Sequence, residues 1–131
     1  MKNFKDLRVW ESAHQFVLAL YRHTQHFPSD ERFGLTSQIR RAAVSVPSNI
    51  AEGCGRNGDV ELARFCDIAM GSASETEYQL LLARDLGYLP IEIYNELERD
   101  LQSMRRMLNA FIQRLRQGSS KLTSTTSPSK S

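Results

Sequence analysis

Few side chains in this sequence are of types, and at spacings, that do chemistry, and each can be held against what that chemistry requires. Gly53, Gly55 and Gly58 spell G-x-G-x-x-G, but dinucleotide binding needs that motif between a strand and a helix. A helical pattern precedes it here, so it reads as an interhelical turn where free N–H groups and Arg56 could meet a phosphate. Glu11-Ser12-Ala13-His14 is a single E-x-x-H, whereas a carboxylate-bridged di-metal bundle takes two on different helices plus two further glutamates. His14, His23 and His26 all lie in the first helical stretch and no histidine follows, so no metal site and no other cofactor is expected. Cys54 and Cys66 form no C-x-x-C, and no G-x-S-x-G occurs; Cys54, in a loop beside Arg56, reads as a spectator thiol. No catalytic residue emerges, and the chain is not read as an enzyme.

The arginines say more. Near the C-terminus Arg99, Gln102, Arg106, Asn109, Gln113 and Arg116 share one helical face, flanked by Arg105 and Arg114. Arg pairs bidentately with phosphate oxygens, so such a face can follow a nucleic-acid backbone. The plain alternative is a solvated face that keeps the protein soluble. With Arg40, Arg41 and Arg56, these arginines are the candidate phosphate contacts. They offer no aromatic platform for bases, so binding is expected to be sequence-tolerant.

Two stretches carry residues that oppose a plain helix. In Gln38–Gly53, Pro47 removes a backbone donor and crowds the carbonyl of Ala43, which predicts a kink or local opening. Ser48 and Asn49 are placed to bond the disturbed backbone, and Glu52 opposes the dipole at its helix end and so calls for a specific cationic or hydrogen-bonding partner. In Gly71–Leu80 the seam is polar through Ser72, Thr76 and Gln79, with Glu75 and Glu77 beside it. Gly71 costs roughly 1 kcal/mol against alanine, which predicts a close contact there. Buried acids need partners, and Arg40 and Arg41 are the expected ones for this pair.

The elements that position these groups follow from periodicity. Apolar residues recur at three and four spacing through Leu7, Trp10, Ala13, Val17 and Leu20, and again through Leu35, Ile39, Ala42, Val46 and Ile50. The same spacing runs from Leu62 to Leu86 and from Ile93 to Leu115. Phe27-Pro28 ends the first helix, Gly87 is suited to cap the third, and Pro90 opens the last. Four helices are predicted near 4–26, 35–53, 59–86 and 90–116, in an all-α, antiparallel up-down-up-down four-helix bundle. No internal period supports a helical repeat. Residues 1–117 form the expected bundle, and 118–131, GSSKLTSTTSPSKS, read as a disordered Ser/Thr/Lys tail.

The 131 residues and net charge of +2 fit one domain with a modest core. No apolar run approaches bilayer length and the N-terminus is not a signal peptide, so no membrane partner is expected. Two cysteines make no disulfide framework, which favours the cytoplasm.

Four blocks then resemble a known family. They are Phe4-x-x-Leu7-x-Val9-Trp10, Phe27-Pro28-x-x-Glu31-x-Phe33-Gly34-Leu35-x-x-Gln38-Ile39-Arg40-Arg41-Ala42-Ala43, Ser45-Val46-Pro47-Ser48-Asn49-Ile50-Ala51-Glu52-Gly53 and Ile68-Ala69-x-Gly71-Ser72-x-x-Glu75-x-Glu77-x-Gln79-Leu80. Over about residues 4–115 the chain resembles the four-helix-bundle proteins of 23S ribosomal RNA intervening sequences, which are related to the accessory variability proteins of diversity-generating retroelements. The resemblance implies a homopentameric, barrel-like ring with a basic surface. In the retroelement relatives that ring binds nucleic acid and a reverse transcriptase. Gly58 departs from a frequent capping serine, and Thr76 from a usual leucine. Trp10, Pro47, Asn49, Glu52, Gly53, Gly71, Ser72, Glu75 and Glu77 are assigned to shape and assembly. The alternative is an oligomeric protein-interaction scaffold with no nucleic-acid ligand.

Overall fold

A computed structural model describes the backbone of residues 3–126 and the side chains of residues 3–118. A 3-10 turn at Phe4–Asp6 leads into α1 (Arg8–Thr24), and a second at Ser29–Glu31 precedes α2 (Leu35–Cys54). Then come α3 (Gly58–Asp85) and α4 (Ile91–Thr126). Each helix packs on the next, and α1 closes the set against α4. The connections before α2 and before α4 meet at one end, where Tyr88 touches Phe27 and Glu31. These contacts are compatible with the expected up-and-down path, and the fold is the expected all-α bundle. Leu20, Ile39, Ile50, Leu80, Leu97, Leu101, Met104 and Leu108, drawn from all four helices, are fully buried at its centre.

The α2–α3 contact is the most extensive, and it depends on small residues. A Cβ at Gly53 would stand 2.8 Å from Leu62 Cδ1 and 2.9 Å from Phe65 Cβ, so the end of α2 lies directly on the start of α3. Further along, Ser72 donates to Ser45 Oγ at 2.9 Å, and Asn49 Nδ2 donates to the same oxygen at 2.9 Å and to the Ser45 carbonyl at 2.8 Å. This bonded cluster sits one turn around Pro47. The helix runs unbroken through the proline rather than opening there, with Pro47 itself buried in the packed face. Ser48 is exposed and takes no part.

Helix ends are closed in two different ways. At the end of α3, Gly87 adopts φ +80°, the Tyr88 N–H reaches the Ala83 carbonyl at 2.9 Å and the Gly87 N–H reaches Arg84 at 3.0 Å. That double closure is a Schellman motif and requires the left-handed residue. At the start of α2 the cap is Glu31. Its Oε1 accepts from the Leu35 N–H at 3.0 Å and its Oε2 from the Tyr88 hydroxyl at 2.9 Å. Gly34 leaves the space, since a Cβ there would meet Glu31 Oε1 at 2.6 Å.

Two sequence expectations are corrected. Gly71 makes no close contact within the chain: it is exposed, and a Cβ there meets nothing within 4 Å. The boundary expected at Gln117 is not a helix end, because the backbone of α4 stays helical to Thr126. Serine and threonine lower helix propensity only modestly, and the first proline after Gln117 is Pro128. The rest of the expected tail, 127–131, lies outside the described residues.

The two glycines should respond oppositely to alanine in urea melts. Gly53→Ala overpacks a tight contact, at about 1–3 kcal/mol, against a helix-propensity gain of about 1 kcal/mol, for a net loss. Gly71→Ala, in open space, should gain about 1 kcal/mol. Glu31 gives a pH signature. The Leu35 amide and then the Tyr88 hydroxyl hold its carboxyl below the ordinary 4.5 in the folded chain. Its contribution is therefore complete above the ordinary value and is lost as pH falls through the lower, folded one. The stability gap between the native protein and Glu31→Gln should shrink on acidification below 4.5, and a constant gap would contradict the cap.

Candidate functional site

The arginines expected to contact phosphate divide according to what α1, α3 and α4 place beside them. Arg40 turns back onto α1. Its Nε donates to Thr24 Oγ1 at 2.8 Å, its Nη2 to the Tyr21 carbonyl at 3.3 Å, and the guanidinium lies 4.4 Å from the centre of the Tyr21 ring. A cation beside the last carbonyls of α1 suits the negative end of that helix. Arg56 pairs with Glu52 at 2.8 Å, both half exposed, and leans on Phe65. Arg105 pairs with Glu77, and Arg116 with Asp67, tying α4 to α3. Exposed pairs of this sort contribute little to stability, but each neutralises charge that a phosphate would need.

Among the described residues, Arg41, Arg99 and Arg106 are exposed with no anionic partner, and Arg114 has the Phe111 ring at 5.9 Å and no acid. Arg99 and Arg106 are two turns apart on the outward face of α4. Gln102, expected on that face, instead turns toward α3 and donates to Glu77 at 2.8 Å and Glu98 at 3.0 Å.

The acids of α3 have partners other than those expected. Arg40 and Arg41 do not reach Glu75 or Glu77. Glu77 is bound by Gln102 and Arg105 of α4, and Glu75 by Gln79 of its own helix at 3.2 Å. Glu77 faces α4, where Gln102 and Arg105 meet it, while Glu75 is exposed and bonds within its own helix. Thr76, buried in the seam, donates to the Ser72 carbonyl at 2.8 Å, so its hydroxyl is satisfied within one turn. Trp10 stacks on His14 at 5.0 Å and takes the edge of Phe4 at 4.9 Å, a half-buried packing role.

Among the described residues no group of three His, Cys, Asp or Glu is placed to hold a metal ion. Cys54 and Cys66 are both buried. Desolvation, followed by Cys54 and Asp67, pushes the Cys66 thiol up to about 12. Among the described residues no helix is long and apolar enough to cross a membrane.

Sequence reasoning missed two features. Glu31 as a cap is signalled only by its three-residue lead over Gly34 and by a tyrosine far along the chain. Phe33 is 87% exposed beside Arg32 and Arg41, and an aromatic in a polar connection between helices is a signal that could have been used.

The molecule is a small helical bundle in which Arg56, Arg64, Arg84, Arg105 and Arg116 are paired with carboxylates, while Arg41, Arg99 and Arg106 are exposed without one among the described residues. Over residues 5–110 it matches the 23S rRNA-intervening sequence protein family, and the chain belongs to that family. It is also similar to a crystal structure of a protein of unknown function from the S23 ribosomal protein family of Bacteroides thetaiotaomicron VPI-5482. That match has a TM-score of 0.73 at 24% identity and covers 80% of this chain and 95% of the other, a likeness of fold alone. Comparison with functionally curated proteins finds no match.

A thiol raised to about 12 by burial should react with iodoacetamide at pH 8 only when the bundle opens. Alkylation of Cys66 should be slow in buffer and fast in urea, and equal rates would contradict its burial.

Proposed function

We propose that this protein is a non-enzymatic, cytoplasmic, ring-forming bundle that binds RNA or DNA through its arginine surface with little sequence preference. The observation that carries the reading is the outward face of α4, where Arg99 and Arg106 are exposed without an anionic partner. They stand about 10.5 Å apart along the axis at 1.5 Å per residue. With Arg41 and Arg114, this is too little charge for one subunit to hold a polyanion tightly. Affinity grows with each phosphate neutralised, so repetition around a homo-oligomer, a pentamer by the family resemblance, supplies the missing charge. The family's description as intervening-sequence proteins of 23S rRNA supports a nucleic-acid connection.

A second reading is an oligomeric scaffold for a protein partner, a reverse transcriptase among the candidates, with the arginines only solvating it. It is favoured by Val60, Ile68 and Tyr78, which are exposed on the outward side of α3.

Filter binding against salt separates the two. The first reading expects the logarithm of affinity to fall with the logarithm of salt, at about −0.9 per phosphate neutralised on a duplex. Arg99→Glu with Arg106→Glu should weaken binding and flatten that slope. Absence of binding to structured RNA and DNA at low salt would remove the reading in favour of the scaffold.

A further inference from the structure

The α1–α2 corner holds a second set of cations, and unlike the α4 face it has rings among them. An open cleft of about 480 Å³ is lined there by Tyr21, Arg32, Phe33, Thr36, Arg40 and Arg41, among others, and no carboxylate lines it. Glu31, next in sequence, is held away by its bonds to the Leu35 amide and the Tyr88 hydroxyl. Phe33 is 87% exposed although the Arg32 guanidinium lies 5.3 Å from its ring centre, so a ring face is open to solvent. Arg40, stacked at 4.4 Å on Tyr21, forms a fixed wall. Arg41 is exposed, with no anionic partner among the described residues.

An open aromatic face beside arginines without a carboxylate partner matches one ligand chemistry: a planar base joined to a phosphate. Aromatic side chains and arginine planes hold unstacked bases, while arginine donors take the backbone. A duplex keeps its bases inside the stack and cannot use the ring. We infer that this cleft is a site for single-stranded nucleic acid, with a base stacked on Phe33 and its phosphate held by Arg41. The inference rests on the nucleic-acid reading above but places this contact on a different face and gives it a strand preference that the α4 arginines lack.

Fluorescence anisotropy on the full-length chain tests it, with short labelled oligo-rU, oligo-dT and a duplex of equal charge as probes. Phe33→Ala should weaken binding of the single strands by roughly five- to a hundredfold, the range for losing one base–aromatic stack, and leave the duplex unchanged. Phe33→Trp should restore single-strand binding. Equal losses on oligo-rU and oligo-dT mark a platform that reads only the base, and a loss confined to one assigns the site to that nucleic acid. Because the ring is outside the core, the melting temperature of Phe33→Ala should match the native protein. Unchanged single-strand affinity in that variant, with duplex and single strands still bound, overturns this site alone. A smaller particle by light scattering overturns it too, by making Phe33 a subunit contact. Failure of every probe to bind the native protein overturns the α4 reading along with it.

Discussion

The structure depends on how closely α2 can lie against α3. Backbone-to-backbone approach at Gly53 puts Leu62 and Phe65 within van der Waals reach of the α2 main chain, and no side chain larger than hydrogen fits between them. From that contact the two helices stay close enough for Ser45 and Ser72 to bond directly. Short side chains and small residues along α2 are thus a geometric requirement. The proline is tolerated because this face is packed: its ring contributes apolar surface, while Asn49 and Ser45 satisfy each other beside it. α1 and α4 then cover the remaining sides with larger side chains, where the fit is less restrictive.

Close packing on one side sends charge to the other. Arginines near a helix junction find acids or carbonyls: Arg105 and Arg116 bridge to α3, and Arg40 closes the end of α1. Among the described residues Arg41, Arg99, Arg106 and Arg114 have no acid within salt-bridge reach and keep their charge available. Net charge is therefore a poor guide to this surface. What counts is the difference between arginines beside an inter-helix seam and those opposite one.

Helix number and connection positions were legible because three and four spacing, Pro28, Gly87 and Pro90 all act locally. The cap on α2 was not, since Glu31 depends on an amide four residues on and on a hydroxyl at Tyr88, a pairing that no local pattern encodes. The partner of Glu77 was misjudged for a related reason. Periodicity places a residue on a face of its own helix but does not say which neighbour that face meets, and Glu77 meets α4. Gly71 shows the reverse error. A glycine inside a helix suggests crowding, yet the described residues leave open space there. Of the eight candidate arginines, the sequence could place all on helices or turns, but only the assembled chain separates Arg41, Arg99 and Arg106 from those already paired.

The link between Glu31 and Tyr88 has a consequence for how the molecule comes apart. It joins the connection of the first helical hairpin to that of the second, and the Phe27–Tyr88 ring contact reinforces it. The α2–α3 contact already holds the two antiparallel hairpins together along their length, and this link adds a tie at the connection end. With it, loosening either hairpin exposes the start of α2 and the buried Leu89 together. The hairpins are thereby joined at both ends, here by Glu31 and Tyr88 and at the other by the close seat of Gly53 on the start of α3.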